Sequence, residues 1–262
     1  MSYKSDFHIH SYYSDGSMSP VELVTYYHEK EYDMISITDH DGVAGVHDAK
    51  IAGEAVKMAV ISGVELSTEL DGLDLHLLGY YFDEKNPQLL AKCEELKTSR
   101  RERNRRLVEK LNQMGYEMTL EELEKQSGTG YVGKPNIARL MVERGYIDNV
   151  GEAFEPGGVF ESPEVKAIRR RKMDTIEAID LLREASGMAV LAHPGKIKGL
   201  GEKESDEYWS NLEALVKKLK TAGLKGIECY HPSHSDEDAI KFVVLAGKYH
   251  LHITEGSDFH GK

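Results

Sequence analysis

The chain has 262 residues, 40% of them hydrophobic and 30% charged, with a formal net charge of −12. That length can bury a substantial core, either in one large α/β barrel or in one domain carrying an insertion. The acidic balance excludes a general nucleic-acid-coating protein, which needs a surplus of Lys and Arg against phosphate, so no stable binding of duplex nucleic acid is expected. No run of about 18 apolar residues is present, and the start MSYKSDFHIH lacks the charged-then-apolar profile of a signal peptide. The expectation is therefore a cytoplasmic protein without membrane association. Cys93 and Cys229 are too few for a disulfide framework and show no paired zinc-type spacing, which fits a reducing compartment.

In chain order, short β-branched or apolar runs fall at Asp6–Ile9, Met34–Thr38, Met58–Ser62, Leu73–Phe82, Met188–Ala192, Gly226–Cys229 and His252–Thr254, and each reads as a strand. Helix-length stretches at Ser19–Lys30, Val43–Lys57, Trp209–Thr221 and Asp236–Tyr249 separate several of them. This alternation predicts a mainly parallel sheet or barrel. Pro20, just after Ser19, fits a capped helix start.

Metal-ligand residue types stand at the downstream ends of these runs: His8 and His10, Asp39 and His40, Glu65, His193, His231, and finally Asp258 and His260. His76 alone lies inside its run. Loops after parallel strands open onto one face, so the spacing predicts a single site. His8 and His10 are two apart on a strand, share a face and can grip one ion. A carboxylate such as Glu65 could bridge two cations, which would present a shared water whose proton is easily lost; that water would be the nucleophile.

Four separated segments, DFHIHSYYSDGSMSP, ISITDHDGVAG, AVLAHPG and GSDFHG, resemble the PHP family, named for polymerase and histidinol phosphatase, in that family's order. The likeness spans about two-thirds of the chain, from both ends. It implies a distorted (β/α)7 barrel holding two or three divalent metal ions, commonly Mn, Fe or Zn, at the strand C-terminal face. Carried over by position, it implies one ion on His8, His10, Glu65 and Asp258, a second on Glu65, His76 and His193, and a third on Asp15, His40 and His260. The SDG form around Asp15, where histidinol-phosphatase-like members are expected to carry a histidine, resembles the branch that hydrolyses 3′,5′-bisphosphonucleotides and short oligonucleotides.

Residues 84–172 interrupt the alternation with a mostly helical pattern and read as a lid inserted between barrel parts 1–83 and 173–262. Within the lid, YVGKPNIARLMVERG resembles the family's RPHIA segment, whose Arg is expected to meet substrate phosphate; here that position is Lys134, and the family's His is Asn136. A Lys lacks the planar bidentate fork of Arg. Lys196, after AHPG, is a further phosphate candidate. In CYHPSHSD, His231 and His234 are loop histidines or catalytic ones, with His234 placed to protonate the departing oxygen.

Each feature also has a structural reading. His8 and His10 could be half-exposed strand residues, His76 a backbone-satisfied strand histidine, and Asp15 a turn cap. The basic runs Arg100–Arg106 and Lys166–Lys172 are either solvated helix faces or a device steering a polyanion to the metals. The function expected is a metal-dependent phosphoesterase for a phosphorylated small molecule, nucleotide or short oligonucleotide, with in-line attack by a metal-bridging hydroxide. The alternatives are a histidinol-phosphate-type metabolite phosphatase, a non-catalytic nucleotide-binding module and a metal-dependent amidohydrolase. A short tail beyond GSDFHGK is also expected, since the chain stops close to two proposed ligands.

Overall fold

The computed structural model describes residues 3–261 except Glu204. The strands are β1 (Ser5–Ile9), β2 (Met34–Ile37), β3 (Ala59–Leu70), β4 (Leu73–Tyr80), β5 (Met173–Asp174), β6 (Met188–Leu191), β7 (Gly226–Tyr230) and β8 (His252–Glu255). They form one sheet in the order β1-β2-β3-β4-β6-β7-β8, with the two-residue β5 paired on β3. The sheet closes on itself through a parallel bridge between Ile9 and Phe259, where the His10 N–H donates to Phe259 O at 2.8 Å. The result is the expected α/β architecture, a nearly closed seven-stranded barrel.

Two details differ from the sequence expectation. β3 runs to Leu70 rather than stopping near Ser62, and β4 lies antiparallel to both β3 and β6. The cause is a tight hairpin at Asp71 and Gly72, both with positive φ, the two-residue turn whose twist suits paired strands. Glu65 therefore sits inside a strand and not at the end of one. Strand alternation then decides its direction: Val64 and Leu66 face the main apolar core, as do Leu75 and Leu77 of β4, while Glu65 and His76 face the barrel interior with Leu78 and Tyr80.

The barrel helices are α1 (Pro20–Glu29), α2 (Val46–Val56), α7 (Thr175–Glu184), α8 (Asp206–Ala222) and α9 (Asp236–Lys248). α1 starts as its sequence suggests, with Ser19 capping Glu22 N–H, Glu22 returning to Ser19 N–H, and Pro20 in the first turn. Between β4 and β5 the chain forms α3 (Pro87–Gln113), α4 (Leu120–Ser127), α5 (Lys134–Glu143) and α6 (Pro163–Lys166). α3 is shared: Leu89, Cys93 and Leu96 pack in the barrel core, whereas Leu107, Val108 and Leu111 join Met118, Ile137, Met141 and Phe160 in a separate apolar cluster. Thr129 Oγ1 donates to Tyr12 O (2.8 Å) and Arg139 Nη2 to Asp15 O (3.1 Å), which seats the inserted segment against the β1–α1 loop. No described helix is long and apolar enough to cross a membrane.

Candidate metal centre

All nine candidate ligands lie together at one mouth of the barrel. Glu65, 1% exposed, is at the centre. Its Oε1 faces His76 Nδ1 (2.6 Å) and His193 Nε2 (2.9 Å), and its Oε2 faces His8 Nε2 (3.2 Å), His10 Nε2 (3.3 Å) and His40 Nδ1 (2.9 Å). Asp258 Oδ1 meets the same two strand histidines, 3.6 Å from His8 Nε2 and 3.2 Å from His10 Nε2. Asp15 sits on the far side, 3.2 Å from His260 Nε2 and 3.8 Å from His40 Nε2. One carboxylate thus stands between two groups of imidazoles, and a second carboxylate belongs to a third group with His40 and His260.

Local structure explains these positions. β1 shifts register between Asp6 and Ile9, a bulge that breaks alternation and re-aims its side chains. His8 and His10 point to Glu65, while Asp6 turns to accept from Tyr27 OH (2.7 Å) and Ser257 N (3.0 Å), tying β1 to the segment that carries Asp258. Gly16 lets the Asp15 loop fold back on β1, since a Cβ there would meet His10 O at 2.1 Å. Asp41, His193 and Asp258 have positive φ without being glycine, a strained conformation held where side-chain direction matters.

The donor set fits divalent cations. His8 Nε2, His10 Nε2, His40 Nδ1, His193 Nδ1, Asp15 Oδ1 and Glu65 Oε2 are buried without a hydrogen-bond partner. Unpaired buried polar atoms are costly, and imidazole nitrogens mixed with carboxylate oxygens suit Mn, Fe and Zn alike. Burial disfavours a charged His10, yet its contacts with Asp258 and Glu65 carry its pKa up to about 10. Burial likewise opposes ionisation of Glu65, but the surrounding imidazoles, His40 foremost, hold it well below the usual carboxylate range. Such a field attracts cations, and metal binding would displace the ring protons.

Several polar residues around the nest were not singled out from sequence. Glu228 is fully buried on β7; its Oε1 lies 2.9 Å from His8 Nδ1 and its Oε2 accepts His193 N–H at 2.6 Å. That carboxylate fixes which ring nitrogen His8 presents, as partners behind metal-bound histidines do. A charged residue in the middle of GIECY was the available signal. Asp39, grouped above with the ligand types, faces away and instead accepts from Ser11 N (2.8 Å), Ser11 Oγ (2.6 Å) and Ser14 Oγ (2.6 Å), shaping the loop that carries Asp15.

The two loop histidines part company. His231 Nδ1 accepts from the Ser233 N–H (3.0 Å), so its proton is on Nε2, 3.2 Å from Asp258 Oδ2. His234 hydrogen-bonds Cys229 O through Nδ1 (3.0 Å) and accepts Gly195 N–H on Nε2 (3.2 Å). Both nitrogens of His234 are hydrogen-bonded to backbone, which pins the Gly195 turn to β7. Lys196 Nζ lies 2.6 Å from Asp258 Oδ2, and Lys134 opens α5, half-buried, with Nζ 5.2 Å from the Phe160 ring centre.

The sequence model of the PHP domain matches residues 6–232. The chain belongs to the PHP domain family. A 5′-3′ exoribonuclease from Haemophilus influenzae is 31% identical over 99% of this chain and 91% of its own length. A phosphoribosyl 1,2-cyclic phosphate 1,2-diphosphodiesterase from Eggerthella lenta is 30% identical over 98% of this chain and 94% of its own, and a 3′,5′-nucleoside bisphosphate phosphatase from Chromobacterium violaceum is 27% identical over 97% and 86%. Among solved structures, a Bifidobacterium adolescentis protein described as a metal-dependent phosphoesterase superposes with a TM-score of 0.87 at 26% identity, covering 100% of this chain and 89% of that one. Like these proteins, the chain is a metal-dependent phosphoric ester hydrolase.

Proposed function

We propose that this PHP protein hydrolyses phosphate esters of nucleotides, either 3′,5′-bisphosphonucleotides or short oligonucleotides, using two or three divalent ions (Mn, Fe or Zn) held by His8, His10, Asp15, His40, Glu65, His76, His193, Asp258 and His260. The observation that carries this reading is Glu65, whose two oxygens each face a separate group of imidazoles. Divalent ions bound there would lower the pKa of a shared water and neutralise charge building on the phosphoryl oxygens.

The chain's own groups do the rest. Glu65 sets the spacing between the two imidazole groups, and Glu228 holds His8 and the His193 backbone in register. Asp258 is oriented by His231 and Lys196, which both approach Oδ2 and leave Oδ1 for the nest. With His234 committed elsewhere, His231 is the histidine that can hold a proton beside a departing oxygen. The inserted segment 84–172 acts as a lid, and its Lys134 contributes positive charge to the phosphate-facing side. The exoribonuclease and bisphosphate phosphatase relatives support a nucleotide substrate, and the absence of a histidine at Asp15 supports that branch over a histidinol-phosphate enzyme.

The test is phosphate release from adenosine 3′,5′-bisphosphate, a short 5′-phosphorylated oligonucleotide and histidinol phosphate by the Mn-loaded protein. Turnover of either nucleotide is expected. Turnover of histidinol phosphate alone would replace the assignment with the metabolite phosphatase, and bound Mn without any turnover would favour a nucleotide-binding module.

A further inference from the structure

Three supports meet on the β1–α1 loop, which carries Asp15. The barrel supplies one: Asp39, 3% exposed, accepts from Ser11 and Ser14. The segment after β8 supplies another, because the Ser17 N–H donates to His260 O at 2.8 Å. The inserted segment supplies the third, from 117 and 124 residues away in the chain, through Thr129 Oγ1 on Tyr12 O and Arg139 Nη2 on Asp15 O.

These supports coincide with the ligands of one candidate cation site. Asp39 precedes His40, the Ser17 bond falls on His260 itself, and the Arg139 bond falls on Asp15 itself. His10, Asp15, His40 and His260 each offer a ligand atom, all within 4.8 Å of one another. The rest of the nest is anchored differently. His8, Glu65 and His76 lie in β1, β3 and β4, where sheet hydrogen bonds fix the main chain. Asp15 lies in a loop, so the aim of its carboxylate depends on a few individual bonds. Rotation about its Cα–C bond moves the carbonyl relative to the side chain, and Arg139 holds that carbonyl.

We propose that Arg139, assisted by Thr129, is a positioning residue for the third cation: the inserted segment completes the Asp15–His40–His260 site by fixing the loop that bears Asp15. The sites that share Glu65 form without this contact. Coupling between binding events is reciprocal, so a cation at the third site also strengthens the docking of α5 on the loop. α5 carries Lys134 in its first turn and Arg139 in its second, which puts a candidate phosphate contact and the Asp15 loop contact on one helix. The nature of the ion rests on the metal-dependent reading above; the link between Arg139 and this site does not depend on which ester is the substrate.

The experiment is equilibrium dialysis of the metal-free protein against Mn, with bound metal counted per chain. Wild type should bind three ions. Arg139→Met should weaken one of them about tenfold or more, the scale on which partners behind a ligand act, and leave two unchanged. Arg139→Lys, which keeps a donor for Asp15 O, should fall between, and Thr129→Val should weaken the same ion less. These two milder variants carry the test if Arg139→Met does not fold. Deuterium exchange gives the reciprocal readout: the third equivalent of Mn should slow amide exchange in α5 of wild type and not of Arg139→Met.

A merely structural Arg139 would lower Tm and leave all three ions bound as before, or weaken them alike. Either result, or only two Mn bound by wild type, would overturn the proposal. A third Mn that depends on Arg139, without turnover of any ester by the loaded protein, would sink the proposed function and leave this inference standing. Turnover of a nucleotide by a protein that binds only two Mn would do the reverse.

Discussion

The barrel mouth and the inward face of α3 bury opposite kinds of polar group. Around Glu65, buried imidazole nitrogens and carboxylate oxygens stand unpaired and invite cations. Around Arg103, buried guanidinium and phenol donors stand unpaired. Both arrangements carry an energetic cost, because both leave buried polar atoms without partners. The contrast teaches that the two regions differ in the sign of the charge they bury: imidazoles and carboxylates that could hold a cation at the barrel mouth, and guanidinium groups on the inner face of α3. Asp41 lies at the seam, adjacent to His40 in sequence and bound to Arg100 and Arg170.

The largest expected effect comes from emptying the barrel side. His8→Ala/His10→Ala should lower turnover by at least about 10³-fold, equivalent to roughly 4 kcal/mol of barrier, as followed by phosphate release with Mn. Retained turnover would show that the nest is not the reaction centre.

Breaking the seam comes next. Asp41→Asn leaves Arg100 and Arg170 buried without their carboxylate and should cost about 3–5 kcal/mol, read by urea unfolding. Burial alone would raise the Asp41 pKa, but Arg170 and Arg100 outweigh it and hold it at about 2 against an ordinary 3.8. A depressed carboxylate stabilises the fold above its unfolded pKa, so this contribution is complete above about pH 4 and disappears as pH falls toward 2. Asp41→Asn should flatten that part of the acid limb; an unaltered limb would assign it to other carboxylates.

A smaller effect sharpens the barrel side. Glu228→Gln should weaken Mn affinity about 10–100-fold, by analogy with other groups that orient ligating histidines, measured by competition with a chelating dye. Affinity equal to wild type would remove Glu228 from the metal centre's support. The smallest effect isolates the outer face of α3: Arg101→Ala with Arg105→Ala removes solvated ion pairs and should leave KM for an oligonucleotide within about twofold. A large rise would restore steering by the whole basic run.

Much of this was legible from particular residues. His-x-His on β1, the separated Asp and His motifs and the strand–helix alternation placed the nest at one barrel mouth, because strand periodicity and connection rules act locally. Three things were hidden. The length of β3 depended on the Asp71–Gly72 hairpin, and reading its strand as ending near Ser62 put Glu65 at an end instead of inside the barrel. His234 resembled a free loop histidine, since capture of its nitrogens by Cys229 and Gly195 is a tertiary event. The basic run 100–106 read as one patch, although Leu96, Arg100, Arg103 and Leu107 follow four-three-four spacing along one helix face, which was the available sign that two arginines turn inward.

The measurement that bears most directly on the central claim is Mn titration of metal-free wild-type protein and Glu65→Gln, with phosphate release from adenosine 3′,5′-bisphosphate followed at each addition. The account predicts that wild-type activity rises with the filling of two or three sites per chain, and that Glu65→Gln loses at least one site together with nearly all turnover. Full activity in EDTA, or a Glu65→Gln protein that binds Mn and turns over like wild type, would contradict it.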